Sequence, residues 1–221
     1  MITKHFERIL NKQVVPEIRD EGKGYSMWDD GGVEAEVGTF LYGLVRMIKP
    51  KLILETGLYT GVSCSYMAQG LNDNGYGKID SVEYEQAHIN TARERISRLN
   101  LQNFVNFNKC DSMNFNPQLL DTERYDLILL DTEMNLRLHE LIKFYPYLRD
   151  GGFVFIHDMP PSVCVGNINS DHPDFINWPV GIIPEEVKSF VKEGKLRPMF
   201  FPNPRGMLSF YKPRPDEYNW I

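Results

Sequence analysis

The chain has 221 residues, 42% of them hydrophobic, a formal charge of −6 and a pI near 5.4. That length suits one α/β domain with appendages rather than two domains. The acidic balance argues against a general nucleic-acid binder, which carries a basic surplus.

Residues Met1 to Arg8 carry charges and lack the apolar core of a signal peptide. No run approaches the roughly 18 apolar residues of a membrane span. Cys64, Cys110 and Cys164 lack metal-site spacing, so they are expected to be free thiols in a reducing cytoplasm. Residues 1–30 are expected to form a helical cap segment that folds over a site or pairs with a second copy, as in a homodimer. Residues 31–221 are read as the main domain.

Within that domain, Gly38 to Ile48 sets Phe40, Leu41, Leu44, Val45 and Ile48 on one helical face, and Pro50 stops the helix. Leu52 to Glu55 reads as a first strand, and Ser63 to Leu71 as a helix ending at the polar loop Asn72 to Gly77. A second strand, Ile79 to Val82, ends at Glu83. Ala92, Ile96 and Leu99 stripe the next helix, and Phe104, Val105 and Phe107 mark a third strand before Cys110-Asp111. Tyr125 to Leu130 is an almost unbroken apolar run ending at Asp131, as in a strand buried on both faces. Met134, Leu138, Leu141, Ile142, Tyr145 and Leu148 follow at helical spacing. Asp150-Gly151-Gly152 is read as a turn, and Phe153 to Ile156 as a fifth strand ending at His157-Asp158.

Residues 159–183 are rich in Pro, Asn, Asp and Gly and are expected to cover the open end of the sheet near a substrate. Pro184-Glu185-Glu186 is a helix start, with proline and acids suited to the first turn. Met199 to Phe201 and Met207 to Tyr211 flank a turn cluster and predict a terminal antiparallel pair. Alternating strands and helices of this kind imply a mostly parallel sheet with helices on both faces.

The segment from Leu52 to Ser63, LILETGLYTGVS, carries the chemistry. An apolar strand ends in Glu55, and Gly57 and Gly61 let the following backbone pass close to a ligand. The spacing is not G-x-G-x-x-G, and no Lys follows Gly61, so dinucleotide and P-loop fingerprints do not apply. With Glu55 in front, the segment resembles motif I of the class I S-adenosylmethionine (SAM)-dependent methyltransferases. Three further stretches strengthen the likeness to small O-methyltransferases of the catechol O-methyltransferase type. They are Gly32 to Tyr42 as the lead-in segment, Tyr125 to Asp131 as the fourth-strand motif and Leu148 to Asp158 as the fifth strand. The resemblance implies a Rossmann-like methyltransferase fold with a seven-stranded sheet and a C-terminal antiparallel hairpin.

Carried over by position, the resemblance puts Glu55, Gly57 and Gly61 at the methionine end of SAM, with Thr60 and Ser63 near its carboxylate and the helix N-terminus. Glu83 falls where the family's acid takes both ribose hydroxyls. Tyr84 is either an adenine-stacking ring or an ordinary tyrosine. Asp111 and Ser112 fall at the adenine amino group, and Val37 and Gly38 in a segment that touches the cofactor. Asp131 lies where the family has an acid close to the sulfonium. In the metal-using branch that acid is also a magnesium ligand, completed by an acidic pair on the fifth strand. Here the pair is His157-Asp158, and histidine is a poor magnesium ligand. A metal at Asp131 and Asp158 is therefore not favoured. His157, with a reference pKa of about 6.5, is instead expected to act as general base, oriented by Asp158.

The expected activity is methyl transfer to a hydroxyl of a small molecule or sugar unit, with no nucleic-acid or membrane partner. Two alternatives are a nicotinamide-dependent oxidoreductase using Glu83 for the ribose, and a non-catalytic module of the same fold.

Overall fold

In the computed structural model, the described residues are 18–19, 26–28, 32–159, 183–201 and 205–219. The covering segment expected at 159–183 lies outside them except for its two end residues, as do Cys164 and most of 1–30. Where residues 1–30 are described they form not the expected helix but two short paired strands, β1 (Ile18–Arg19) and β2 (Ser26–Met27).

A seven-stranded sheet organises the rest. Its strands are β3 (Leu52–Thr56), β4 (Lys78–Glu83), β5 (Val105–Lys109), β6 (Tyr125–Leu130), β7 (Leu148–His157), β8 (Arg197–Phe201) and β9 (Met207–Tyr211). The order is β5-β4-β3-β6-β7-β9-β8, parallel through β7 and antiparallel at β9 and β8. From β3 the chain winds outward to β5, then returns to place β6 on the other side of β3. The carboxyl ends of β3 and β6 therefore form the topological switch point, where open α/β sheets bind ligands.

Side-chain alternation assigns each strand residue to a face. Ile53, Leu127, Leu129 and Phe155 point to one core, with helices α1 (Ala35–Ile48), α2 (Val62–Asn74) and α3 (Gln86–Arg98). Leu54, Ile128, Leu130, Val154 and Ile156 point to the other, with α4 (Met134–Phe144) and α5 (Glu185–Lys192). Among the described residues, no helix is long and apolar enough to cross a membrane.

Four local readings need correction. α2 runs on to Asn74, and Gly75 caps it in the left-handed region (φ 83°), so half of the expected loop is helix. Phe104 closes a 3-10 turn before β5. α4 ends at Phe144, and a 3-10 turn containing Pro146 leads into β7. Asp150-Gly151-Gly152 is no terminal turn but a bulge inside β7. Pairing jumps from Tyr125↔Leu148 to Leu127↔Phe153 there. Gly151 takes φ 79° and donates its N–H to the Lys212 carbonyl (2.7 Å), so the backbone stays bonded on the far side.

α1 and α2 approach closely because Gly70 has no side chain. A Cβ there would lie 2.7 Å from Val45 Cγ1 and 2.9 Å from Val45 Cβ. Gly43, exposed on α1, has nothing within 4 Å. Gly70→Val is therefore expected to lower stability by about 2 kcal/mol through overpacking. Gly43→Ala should raise it by about 0.5–1 kcal/mol. Chemical denaturation of both variants checks the pair, and equal shifts would contradict this packing.

Candidate functional site

A cavity of about 540 Å³ opens at the switch point, over the carboxyl ends of β3, β4 and β6. Of the residues singled out from sequence, Gly57, Thr60, Ser63, Glu83, Tyr84, Asp111, Ser112, Asp131 and Asp158 line it. Glu55, Gly61 and His157 do not.

The loop after β3 is shaped by close approach rather than by flexibility. Gly57 (φ 81°) donates its N–H to the Val82 carbonyl (3.0 Å), and a Cβ on it would lie 2.1 Å from the Asp131 carbonyl oxygen. Only glycine lets the two switch strands end side by side here. Gly61 (φ 78°) caps α2 and faces Ala92, where a Cβ would sit 2.8 Å away. Its requirement is helix packing, not ligand approach.

Glu55 is fully buried beneath this loop. Ser63 Oγ and Ser81 Oγ each donate to one of its oxygens at 2.6 Å. Burial pushes its carboxyl up to about 7, against the two serine hydrogen bonds. The expectation that Glu55 lines the methionine end is therefore corrected: it anchors the loop from below. Val37 and Gly38 are likewise core residues, with Gly38 packed against the Tyr66 ring.

Glu83 ends β4 at the cavity wall. Its Oε2 accepts the Tyr59 N–H and its Oε1 accepts the Glu85 N–H, both at 2.9 Å. Two backbone donors thus fix the carboxylate while each oxygen keeps a further lone pair. His88 Nδ1 lies 3.6 Å from Oε1, and the Tyr59 and His88 rings meet edge to face. Asp111 is held by its own turn, its Oδ1 accepting the Met113 N–H at 2.7 Å. Tyr84 is 60% exposed at the rim.

At the other end of the cavity, six ionisable groups from separate parts of the chain meet. His157 is 1% exposed. Its Nε2 donates to Glu34 Oε2 at 2.6 Å and its Nδ1 to Asp131 Oδ1 at 3.2 Å. Arg137, on α4, donates from Nε to the Thr132 carbonyl (2.7 Å) and from Nη1 to the His157 carbonyl. Its Nη2 lies 3.1 Å from Asp131 Oδ1 and 3.8 Å from Asp158 Oδ2. Arg205 reaches from the β8–β9 turn to Asp158 and to the Gly32 carbonyl. With all six ionised, three carboxylates balance three cations.

Burial alone would lower the His157 pKa. The Asp131 charge and hydrogen bond, with Glu34 and Asp158, instead push it up to about 10. The same contacts hold Glu34 and Asp131 below their ordinary values, against desolvation. Asp158 is raised, because burial and the Asp131 charge outweigh His157 and Arg205. The base role expected of His157 is corrected here. An imidazolium whose two nitrogens both donate to carboxylates, away from the cavity wall, has no lone pair with which to take a proton.

Ligand atoms of Asp131, His157 and Asp158 lie within 4.8 Å of one another, a spacing that could suit a metal. The donor set does not fit one. Both ring nitrogens of His157 are engaged by carboxylates, and the Arg137 guanidinium already contacts both Asp131 and Asp158. Glu133, exposed at the start of α4, lines the cavity but is not among the converging ligands.

Sequence reading missed Glu34, Arg137 and Arg205. Arg137 had a signal: it sits three residues after Met134 and beside Leu138 on the buried stripe of α4. Glu34 and Arg205 had none, because their partners are distant in sequence.

The raised His157 pKa has a consequence for stability. Its folded value, about 10, exceeds the unfolded value of about 6.5. Its ion pairs therefore stabilise the fold fully below about pH 6.5, and that contribution is lost as pH rises through 10. Thermal unfolding should show stability falling from pH 7 to 10. His157→Gln should cost about 3–5 kcal/mol at pH 7 and flatten the alkaline limb. An unchanged limb in the variant would refute the assignment.

Known proteins resemble this chain in sequence and in fold. A model of a methyltransferase domain matches residues 54–159. The Tapetum-specific methyltransferase 1 of Arabidopsis thaliana is 27% identical over 132 residues, covering 59% of this chain and 56% of that protein. The catechol O-methyltransferase of Niastella koreensis is 30% identical over 103 residues, covering 46% of each. The chain thus spans about half the length of these curated relatives. Among solved structures, the O-methyltransferase TomG from Streptomyces achromogenes in complex with SAM superposes with a TM-score of 0.69 at 17% identity, covering 96% of both chains. The O-methyltransferase from Bacillus cereus in complex with SAH gives 0.65 at 19%, covering 83% and 84%. Residues 54–159 thus match a methyltransferase-domain model, and the chain shares its fold with solved O-methyltransferase structures.

Proposed function

We propose that this chain is a SAM-dependent O-methyltransferase that modifies a hydroxyl of a small molecule or sugar unit in the cytoplasm. The observation that carries the cofactor is Glu83. Its carboxylate closes β4 at the cavity wall, is aimed by two backbone amides, and keeps a lone pair on each oxygen for two neighbouring hydroxyls. The cavity's volume suits a nucleoside-sized ligand. Asp111 and Ser112 on one side then face the adenine amino group, with Tyr84 as a lid on the ring. Gly57, Thr60 and Ser63 line the methionine end.

Bound SAM supplies an already activated methyl on its sulfonium. The chain's part is alignment, exclusion of water and handling of one proton. With His157 committed as a cation, the proton passes to a carboxylate. Asp158 borders the cavity, its pKa is raised, and among the described residues its Oδ1 accepts no hydrogen bond. It takes the acceptor's hydroxyl hydrogen as the oxygen attacks in line. Asp131, held as an anion by Arg137 and His157, stays ionised beside the sulfonium. The buried thiol Cys64, which is free, suits a reducing compartment. The methyltransferase match does not favour the nicotinamide alternative.

Calorimetric titration with SAM should show micromolar binding, and Glu83→Ala should weaken it about 10- to 100-fold by removing charge-assisted bonds. Tighter binding of NADH would overturn the reading. Once an acceptor is found, Asp158→Asn should lower kcat by about 10²-fold or more with SAM affinity kept. SAM binding without turnover across a broad hydroxyl screen would favour the non-catalytic module.

A further inference from the structure

The acidic corner of the cavity holds its own cation. We propose that the Arg137 guanidinium permanently occupies the place that a divalent ion would take between Asp131 and Asp158, so the site is built to work without a metal.

Three observations converge on this. First, the guanidinium is locked: it donates to the Thr132 and His157 carbonyls, forms an ion pair with Asp131 Oδ1, and is 4% exposed. Such a group leaves only at the cost of several charge-assisted bonds. Second, the carboxylates are already neutralised. Asp131 also contacts His157, and Asp158 also contacts Arg205. A divalent ion added to three acids and three cations would leave a buried excess of positive charge, which low-dielectric surroundings penalise. Third, the one nitrogen donor of the cluster is engaged on both sides, with Nε2 on Glu34 and Nδ1 on Asp131. It offers no lone pair to a metal until it loses a proton and a hydrogen bond.

The chemical role follows from the position. A metal at such a corner neutralises negative charge and orients an acceptor oxygen. Arg137 lines the same cavity and supplies one positive charge there, with a fixed planar geometry and no exchange with solvent ions. It is a positioning residue: it holds Asp131 and Asp158 as a preorganised pair instead of coordinating the acceptor itself.

Mn²⁺ titration followed by electron paramagnetic resonance tests this on the intact protein. The readout does not depend on SAM or on turnover, so it stands apart from the methyl-transfer reading. The wild type should leave the free-ion signal unquenched up to about 1 mM, far above the range of built oxygen-ligand sites. Arg137→Met should create one saturable site, removed again by Asp131→Asn in the same background. If Arg137→Met does not fold, Arg137→Gln serves, because its amide can still donate to the Thr132 carbonyl. Saturable Mn²⁺ binding by the wild type, lost in Asp131→Asn, would overturn the proposal. So would a folded Arg137 variant that gains no site.

Discussion

The structure depends on one buried charge cluster. Glu34 precedes α1, Asp131 follows β6, Arg137 lies on α4, His157 and Asp158 close β7, and Arg205 comes from the β8–β9 turn. Few of these groups could be buried alone, since each unpaired charge in an apolar interior costs several kcal/mol. Together they are tolerable, and they tie five separate stretches of chain to the switch point. The cluster therefore couples these elements: the ends of β6 and β7 cannot shift relative to α1 without breaking an ion pair.

Carboxylates around this cavity illustrate how one side chain acquires different duties. Glu55 lies wholly buried under two serine hydroxyls and is pushed up to about 7, which suits a loop anchor. Glu140, also fully buried, accepts from Thr56 and Thr132 under the next loop and is raised by burial. Glu83 has two amide donors and an open side toward the cavity. Asp131 is lowered by its cations, whereas Asp158, which meets Arg205 and Arg137, is raised by burial and by the Asp131 charge. Burial and neighbouring charge, rather than residue type, separate the anchors from the groups available to a ligand.

Shared fold and divergent chemistry sit side by side here. Solved structures at 17% to 19% identity reproduce the backbone over most of its length. On such a common scaffold, function is argued from the residues of the site itself. Here the site sets His157 on β7 and Arg137 on α4 against the same carboxylate, Asp131.

The sequence by itself determined the order of strands and helices, the glycine loop after β3 and the acids at the strand ends. These features are local: apolar runs bury strands on both faces, periodic stripes bury helices, and glycine permits positive φ. Gly57, Glu83, Asp111, Asp131 and Asp158 were legible for that reason, because each lies at the carboxyl end of a strand or within two residues past it, and all reach the cavity. The bulge at Gly151 looked like a turn because the same residues serve both, and only the pairing with β6 and the bond to Lys212 distinguish them. The fate of His157 was not legible at all. Its protonation is decided by Glu34, 123 residues away, and by Asp131, 26 residues away. Only the tertiary structure brings those charges within hydrogen-bond distance, and at that distance in a buried setting they outweigh both the ring's intrinsic pKa and the cost of its desolvation.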